Sequence, residues 1–233
     1  MEAIILAGGL GTRLRSITKD AMPKCMAPIN GKPFLYYLLW QLQQQGVERI
    51  ILSLGHKASV ILDWLKEQDF GMIIDYVIED TPLGTGGGIR LALQQATEEN
   101  CLIVNGDTLF CCSITTLLQE HISKQAAVTI ALKNMKDYDR YGSVVLRADG
   151  AIQQFEEKQY KKEGWINAGV YIIQKQALLA KPLPIIFSFE KDYLETYLSE
   201  HRFYGMGFDS YFIDIGIPED YQQAQQDFLT LFP

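Results

Sequence analysis

A chain of 233 residues, 48% of them hydrophobic, can bury the core of one α/β domain without being forced to split. Its formal net charge of −7 excludes a broad basic face for nucleic acid, so any cation that holds an anion has to be local. No stretch reaches the length of a membrane-spanning helix, and no basic segment followed by an apolar one opens the chain, so neither membrane insertion nor secretion is indicated and a cytoplasmic protein is expected.

Ala3-Ile4-Ile5-Leu6 is an apolar, β-branched run that reads as a strand buried on both faces of a parallel sheet. Glycines start where it stops: Gly8, Gly9 and Gly11 let backbone N–H groups approach phosphate oxygens, while Thr12 adds a hydroxyl and Arg13 a permanently charged fork. Apolar runs at 50–54, 73–78 and 102–104 then alternate with amphipathic stretches at 34–45, 58–67 and 87–95, the pattern of βαβ units around a parallel sheet. Runs at 127–132, 143–146, 152–155, 170–173 and 203–207 lie closer together, so the second half is mixed; Ala148-Asp149-Gly150 reads as a hairpin turn. Pro218 opens a last helix to about Leu229, with Glu219 and Asp220 at its positive end. Cys25, Cys101, Cys111 and Cys112 lack zinc-like spacing and read as reduced thiols: Cys101 in the core, Cys111 and Cys112 partly exposed, Cys25 a bystander. His56, His121 and His201 read as surface or packing residues.

The glycine turn is neither a dinucleotide fingerprint, because Leu14 stands where a third glycine is needed, nor a Walker loop, because no Gly-Lys-Ser/Thr follows. Gly8-Gly9-x-Gly11-Thr12-Arg13-Leu14 with Pro23-Lys24 downstream resembles the signature of the sugar-1-phosphate nucleotidylyltransferases. The resemblance continues through Gly31-Lys32-Pro33, Pro82-Leu83-Gly84-Thr85, Asn105-Gly106-Asp107, Glu156-Glu157-Lys158, Asn167-Ala168-Gly169-Val170 and Phe212-Ile213-Asp214-Ile215-Gly216. Within that family, Arg15-Ser16, Met26-Ala27-Pro28 and the ending Ile215-Gly216-Ile217-Pro218-Glu219-Asp220-Tyr221 look most like the D-glycero-D-manno-heptose 1-phosphate guanylyltransferases. Two departures stand out: a loop one residue longer between Arg13 and Pro23, and Cys25 where a second proline is usual.

The resemblance implies an α/β fold, a Rossmann-like, mostly parallel mixed sheet flanked by helices, forming one nucleotidylyltransferase domain over residues 1–233. Asp107 and Asp214 each follow an apolar run, where ligands of open α/β sheets bind; alone each reads as a cap or turn residue, and the resemblance makes them the carboxylates for Mg²⁺. It likewise implies that Leu6, Ala7, Gly8, Gly9, Gly11, Thr12 and Arg13 cradle the triphosphate. Gly55, Glu79, Pro82, Gly84 and Thr85 would surround the base, with Glu79 able to accept from the guanine N1–H and N2–H₂ edge. Gly142, Glu157, Lys158, Asn167, Gly169 and Asp214 would hold the sugar phosphate. Arg13, Lys24, Asp107 and Lys158 then carry catalysis: a sugar 1-phosphate oxygen attacks the α-phosphorus of a nucleoside triphosphate, GTP by the closer resemblance, and pyrophosphate leaves. A sister enzyme making a UDP-, CDP- or dTDP-sugar would use the same chemistry and is separated only by base and sugar screening. A catalytically silent nucleotide-sugar binder is the other alternative, against which the presence of Arg13, Lys24, Asp107, Lys158 and Asp214 weighs, and association into a homo-oligomer is left open.

Overall fold

The computed structural model describes residues 1–9, 14–19, 21–200 and 202–232, with Arg15 and Ser16 described by backbone alone. Glu2–Leu6 (β1) is the buried strand its composition predicts: Ile4 packs into one apolar core while Ala3 and Ile5 pack into the other, so both faces are covered. A short helix, Arg15–Thr18 (α1), precedes a 3₁₀ turn at Lys24–Met26 and a small hairpin of Pro28–Ile29 (β2) and Lys32–Pro33 (β3). There follow Phe34–Gln44 (α2), Arg49–Leu54 (β4), Ala58–Leu65 (α3), Ile73–Ile78 (β5), Gly84–Leu93 (α4), Asn100–Asn105 (β6), Thr108–Phe110 (β7) and Ile114–Ser123 (α5). The second half supplies Val128–Tyr138 (β8), Ser143–Leu146 (β9), Ile152–Glu156 (β10), Lys161–Gln174 (β11), Lys175–Leu179 (α6), a π-helical segment at Phe189–Glu195, Phe203–Phe208 (β12), Phe212–Asp214 (β13) and Pro218–Leu231 (α7).

The main sheet runs β5-β4-β1-β6-β11-β8-β12, and β11 alone on that path runs against its neighbours, so the sheet is mixed but mostly parallel. The β9–β10 hairpin adds at the side of β11, turning through Gly150 at a φ of +85°. From β1 the chain moves outward through β4 and β5, then returns to the other side of β1 as β6. That reversal leaves a crevice at the carboxyl ends of β1 and β6, where Leu6 pairs with Asn105.

The largest departure from the sequence reading is β11, which extends far before Val170. Its pairing with β8 shifts between Asn167 and Tyr171, and Gly169 takes a φ of +72° there; a side chain on Gly169 would stand 2.6 Å from the Asn105 amide. The bulge lays Asn167 and Gly169 over the end of β6. Helix α4 begins at Gly84 rather than near Gly87, although glycine is a poor helix former. Phe187 explains it: its carbonyl accepts from the Gly86 N–H at 3.0 Å, and a side chain on Gly86 would lie 2.1 Å from its ring. Tertiary packing overrides propensity here.

At the opposite, amino end of the parallel strands Glu2 is 3% exposed and accepts from Arg49 Nη1, the Thr97 hydroxyl and the backbone N–H groups of Thr97 and Glu98 at 2.5 to 2.8 Å. Burial opposes its charge, but the Glu98 N–H, the Thr97 hydroxyl and Arg49 outweigh it and hold the carboxyl down at about 2. A folded value below the ordinary 4.5 gives stability that is present above that pH and lost as pH falls towards 2. Glu2→Gln should therefore cost about 2–3 kcal/mol in urea unfolding at pH 7. The gap from wild type should narrow below about pH 4; a constant gap would assign the loss to packing.

Candidate active site

Two antiparallel strands set the centre of the crevice. β7 leaves the sheet directly after Asp107, and β13 pairs with it so that Asp214 stands opposite Thr108. Both carboxylates converge on Lys24, which the 3₁₀ turn after Pro23 carries in from a distant part of the chain: Lys24 Nζ lies 2.5 Å from Asp107 Oδ2 and 3.3 Å from Asp214 Oδ1. Lys24 is 9% exposed, so this is a largely desolvated cation between two anions. Burial, with the neighbouring charge of Asp107, raises the Asp214 carboxyl above the ordinary carboxylate range, against the pull of Lys24 and of the Gly216 N–H, which it accepts at 2.7 Å. The neighbouring Cys25 is buried, and burial together with the charge of Asp107 pushes its thiol up to about 12, so it is inert.

On one side of this centre lies a cavity of about 270 Å³ with Leu6, Ala7, Gly9, Lys24, Thr85 and Asp107 in its wall. Gly8 and Gly55 are not in that wall but pack on each other: a side chain on Gly55 would sit 2.9 Å from the Gly8 carbonyl, so close approach of these two turns requires glycine. Gly11, Thr12 and Arg13 lie outside the described residues. Glu79 is turned inward: Oε1 accepts from the Ser53 hydroxyl at 3.2 Å and Oε2 from the Leu83 N–H at 2.9 Å, which ties down the loop carrying Pro82 and Gly84. Its carboxylate thus supports the loop, while Thr85, in the first turn of α4, reaches the cavity wall.

On the other side is a cleft of about 370 Å³ whose lining includes Gly142, Glu157, Lys158, Asn167, Gly169 and Asp214. All of the residues expected at a sugar phosphate therefore come together, drawn from β9, the end of β10, the β11 bulge and β13. Asn167 is fixed by its own turn, accepting from the Gly169 N–H at 3.0 Å and donating to the Tyr171 hydroxyl at 2.9 Å. Glu157 stands at the mouth with 83% of its side chain exposed, 3.9 Å from Lys191. The two cavities meet at Asn105, which lines both.

Sequence reasoning missed the π-helical segment and Arg140. Ser188, Glu190 and Lys191 line the cleft, yet no apolar periodicity or glycine signal marks their segment. Arg140 also lines the cleft, pairing with Asp220 at 2.9 Å from the start of α7. Cys112, expected to be partly exposed, is buried at 1%, because β7 packs under the sheet and carries it inward; Cys101 is in the core as expected. His121 is likewise a packing residue, accounted for by Thr129 and Asn100 at 2.9 and 3.2 Å, and burial lowers it to about 4. Among the described residues no helix is long and apolar enough to cross a membrane.

The nucleotidyl transferase family model matches residues 2–230. The chain belongs to that family. It is 49% identical to the D-glycero-alpha-D-manno-heptose 1-phosphate guanylyltransferase of Aneurinibacillus thermoaerophilus, over 97% of this chain and 98% of that protein. The enzyme of the same description from Campylobacter jejuni is 44% identical over 95% of this chain and 97% of its own. Among solved structures, HddC from Yersinia pseudotuberculosis superposes with a TM-score of 0.88 at 39% identity, covering 97% of this chain and 99% of that one; that protein has also been crystallised with GMP-PN.

Proposed function

We propose that this family member transfers a guanylyl group from GTP to D-glycero-α-D-manno-heptose 1-phosphate. The observation that carries the reading is a pair of cavities that share Asn105, one at a glycine turn with Lys24 and Asp107 in its wall and one lined by the sugar-phosphate candidates including Asp214, with Lys24 bridging the two carboxylates. The full-length likeness to two heptose 1-phosphate guanylyltransferases and to a structure solved with a guanine nucleotide analogue supports GTP and heptose over the other members.

The attacking phosphate oxygen is already anionic, so no general base and no covalent enzyme intermediate is needed. A new bond forms between that oxygen and the α-phosphorus, the bond from the α-phosphorus to the bridging oxygen breaks, and pyrophosphate leaves with the bonding electrons. The work of the protein is to hold two repelling anions in line and to neutralise the charge that develops between them. Lys24, in the wall of the nucleotide cavity and paired with Asp214 of the cleft, stabilises the α-phosphate; Lys158 docks the sugar phosphate; Arg13 holds the β and γ phosphates. The loop that Glu79 braces and the first turn of α4 present backbone groups and Thr85 to the base.

Asp107 and Asp214 suit Mg²⁺: they are hard oxygen donors, they already focus on one cation in the form of the Lys24 ammonium, and two carboxylates leave room for phosphate oxygens. When bound there, the ion would offset charge on the phosphates. We assign the whole chain to one catalytic domain and the reaction to the cytoplasm, in keeping with four free cysteines.

The test is pyrophosphate release over a matrix of nucleoside triphosphates and sugar 1-phosphates. GTP with the heptose 1-phosphate should exceed every other pair by tenfold or more, and ITP, lacking the 2-amino group, should fall behind GTP by about tenfold if the base pocket is dry. A better rate with UTP, CTP or dTTP overturns the guanine assignment, and binding without release overturns catalysis.

A further inference from the structure

The sugar cleft contains a carboxylate with unspent hydrogen-bonding capacity. Sugar hydroxyls are donors that need acceptors, and most carboxylates around the cleft are committed or remote. Glu156 is paired with Lys161, Asp214 faces Lys24, and Glu157 stands largely in solvent at the mouth. Glu190 differs. Its Oε2 accepts from the Thr85 hydroxyl at 2.8 Å and the Ser188 hydroxyl at 3.0 Å, whereas Oε1 has only the Tyr171 hydroxyl, at 3.5 Å, among the described residues. Such a contact is at the outer limit of a hydrogen bond and leaves Oε1 short of donors.

Glu190 is also rigidly placed. Phe189 and Tyr193 anchor the π-helical segment with 0% exposure, and the segment is capped by Ser188, whose hydroxyl accepts from the Lys191 N–H at 3.2 Å. Its partners belong to both cavities. Thr85 lines the nucleotide side and accepts from the Phe189 N–H at 2.9 Å, while Tyr171 is held by Asn167 on the sugar side.

We infer that Glu190 is a specificity-determining residue that accepts a hydroxyl of the sugar 1-phosphate on Oε1 while Oε2 holds Thr85 in the wall of the nucleotide cavity. The inference rests on the proposed function for the class of ligand, and it adds a contact between the two substrates' sites. A sugar that supplies the hydroxyl completes the coordination of Glu190; one that lacks it leaves an acceptor unpaired, the arrangement that discriminates best between analogues.

The experiment uses the full chain, with the parent sugar 1-phosphate and singly deoxygenated analogues, in wild type, Glu190→Ala and Thr85→Val. In wild type one analogue should lose about tenfold or more in kcat/KM. In Glu190→Ala the parent should fall to that level chiefly through a raised KM for the sugar phosphate, KM for GTP should rise no more than it does in Thr85→Val, which breaks the same contact, and discrimination against the analogue should vanish. Thr85→Val should raise KM for GTP and retain the discrimination. Equal discrimination in wild type and Glu190→Ala overturns the inference, as does a Glu190→Ala effect confined to GTP, which would make the residue only a tether for Thr85. Calorimetric titration of the same sugar phosphates reads the comparison without turnover. Wild type that binds them but releases no pyrophosphate strikes the proposed function and leaves the Glu190 comparison standing; wild type that binds none overturns both.

Discussion

Asp214→Asn should lower kcat by about a thousandfold while the melting temperature stays at or above that of wild type. The two effects have one source. Asp214 is charged in a site where burial, and then the charge of Asp107, raise its carboxyl above its ordinary value. A carboxyl with a folded value above its unfolded value of 3.8 weakens the fold in full at every pH above the folded value, and the penalty fades as pH falls from the folded value to the unfolded one. The amide removes the penalty and keeps an oxygen that can accept from Gly216, while Lys24 keeps Asp107 as its partner at 2.5 Å. What is lost is the negative charge proposed to hold Mg²⁺ beside the phosphates. Thermal denaturation from pH 4 to 8, run beside pyrophosphate release, checks both halves. The stability advantage should be greatest near neutral pH and shrink towards pH 4. An inactive variant that also melts earlier would show that Asp214 is a structural residue first; a fully active one would remove it from the reaction.

Lys24→Met should lower kcat by about 10²- to 10³-fold and, unlike the aspartate variant, destabilise the fold. Methionine matches the lysine stem but leaves Asp107 and Asp214 facing each other with no cation between them. Removing one partner of a fully buried pair costs about 3–5 kcal/mol. The Asp107 side chain is 36% exposed, so solvent screens part of that repulsion and about 1–2 kcal/mol is expected. Three readings separate charge from packing. Added Mg²⁺ should raise the melting temperature of Lys24→Met more than that of wild type, and so should salt, by a smaller amount. Introducing Asp214→Asn into Lys24→Met should recover stability, a coupling that independent sites would not show. If neither the cation nor the second substitution restores the melting temperature, the loss comes from how methionine packs and not from the missing charge, and the place of Lys24 between the carboxylates is incidental to stability.

The sequence by itself determined what depends on near neighbours. Alternation and β-branching marked β1, β4, β5 and β6; the hairpin turn at Gly150 and the proline start of α7 came from backbone preferences of single residues; and Asp107 and Asp214 were marked by standing directly after apolar runs. These signals are local, because a period of 2 or 3.6 and a residue's own φ preference need no knowledge of the rest of the chain. Tertiary structure decided what depends on residues far apart. Lys24 meets Asp107 and Asp214 only because β7 and β13 pair across the chain, and the inward turn of Glu79 depends on Ser53 from another strand. Glycine-rich α4 is helical from Gly84 because Phe187 packs against it, and Glu190 reaches Thr85 because the segment after Phe187 docks there. Such convergence requires closing long loops, and its free energy comes from buried surface and paired polar groups that no local window contains.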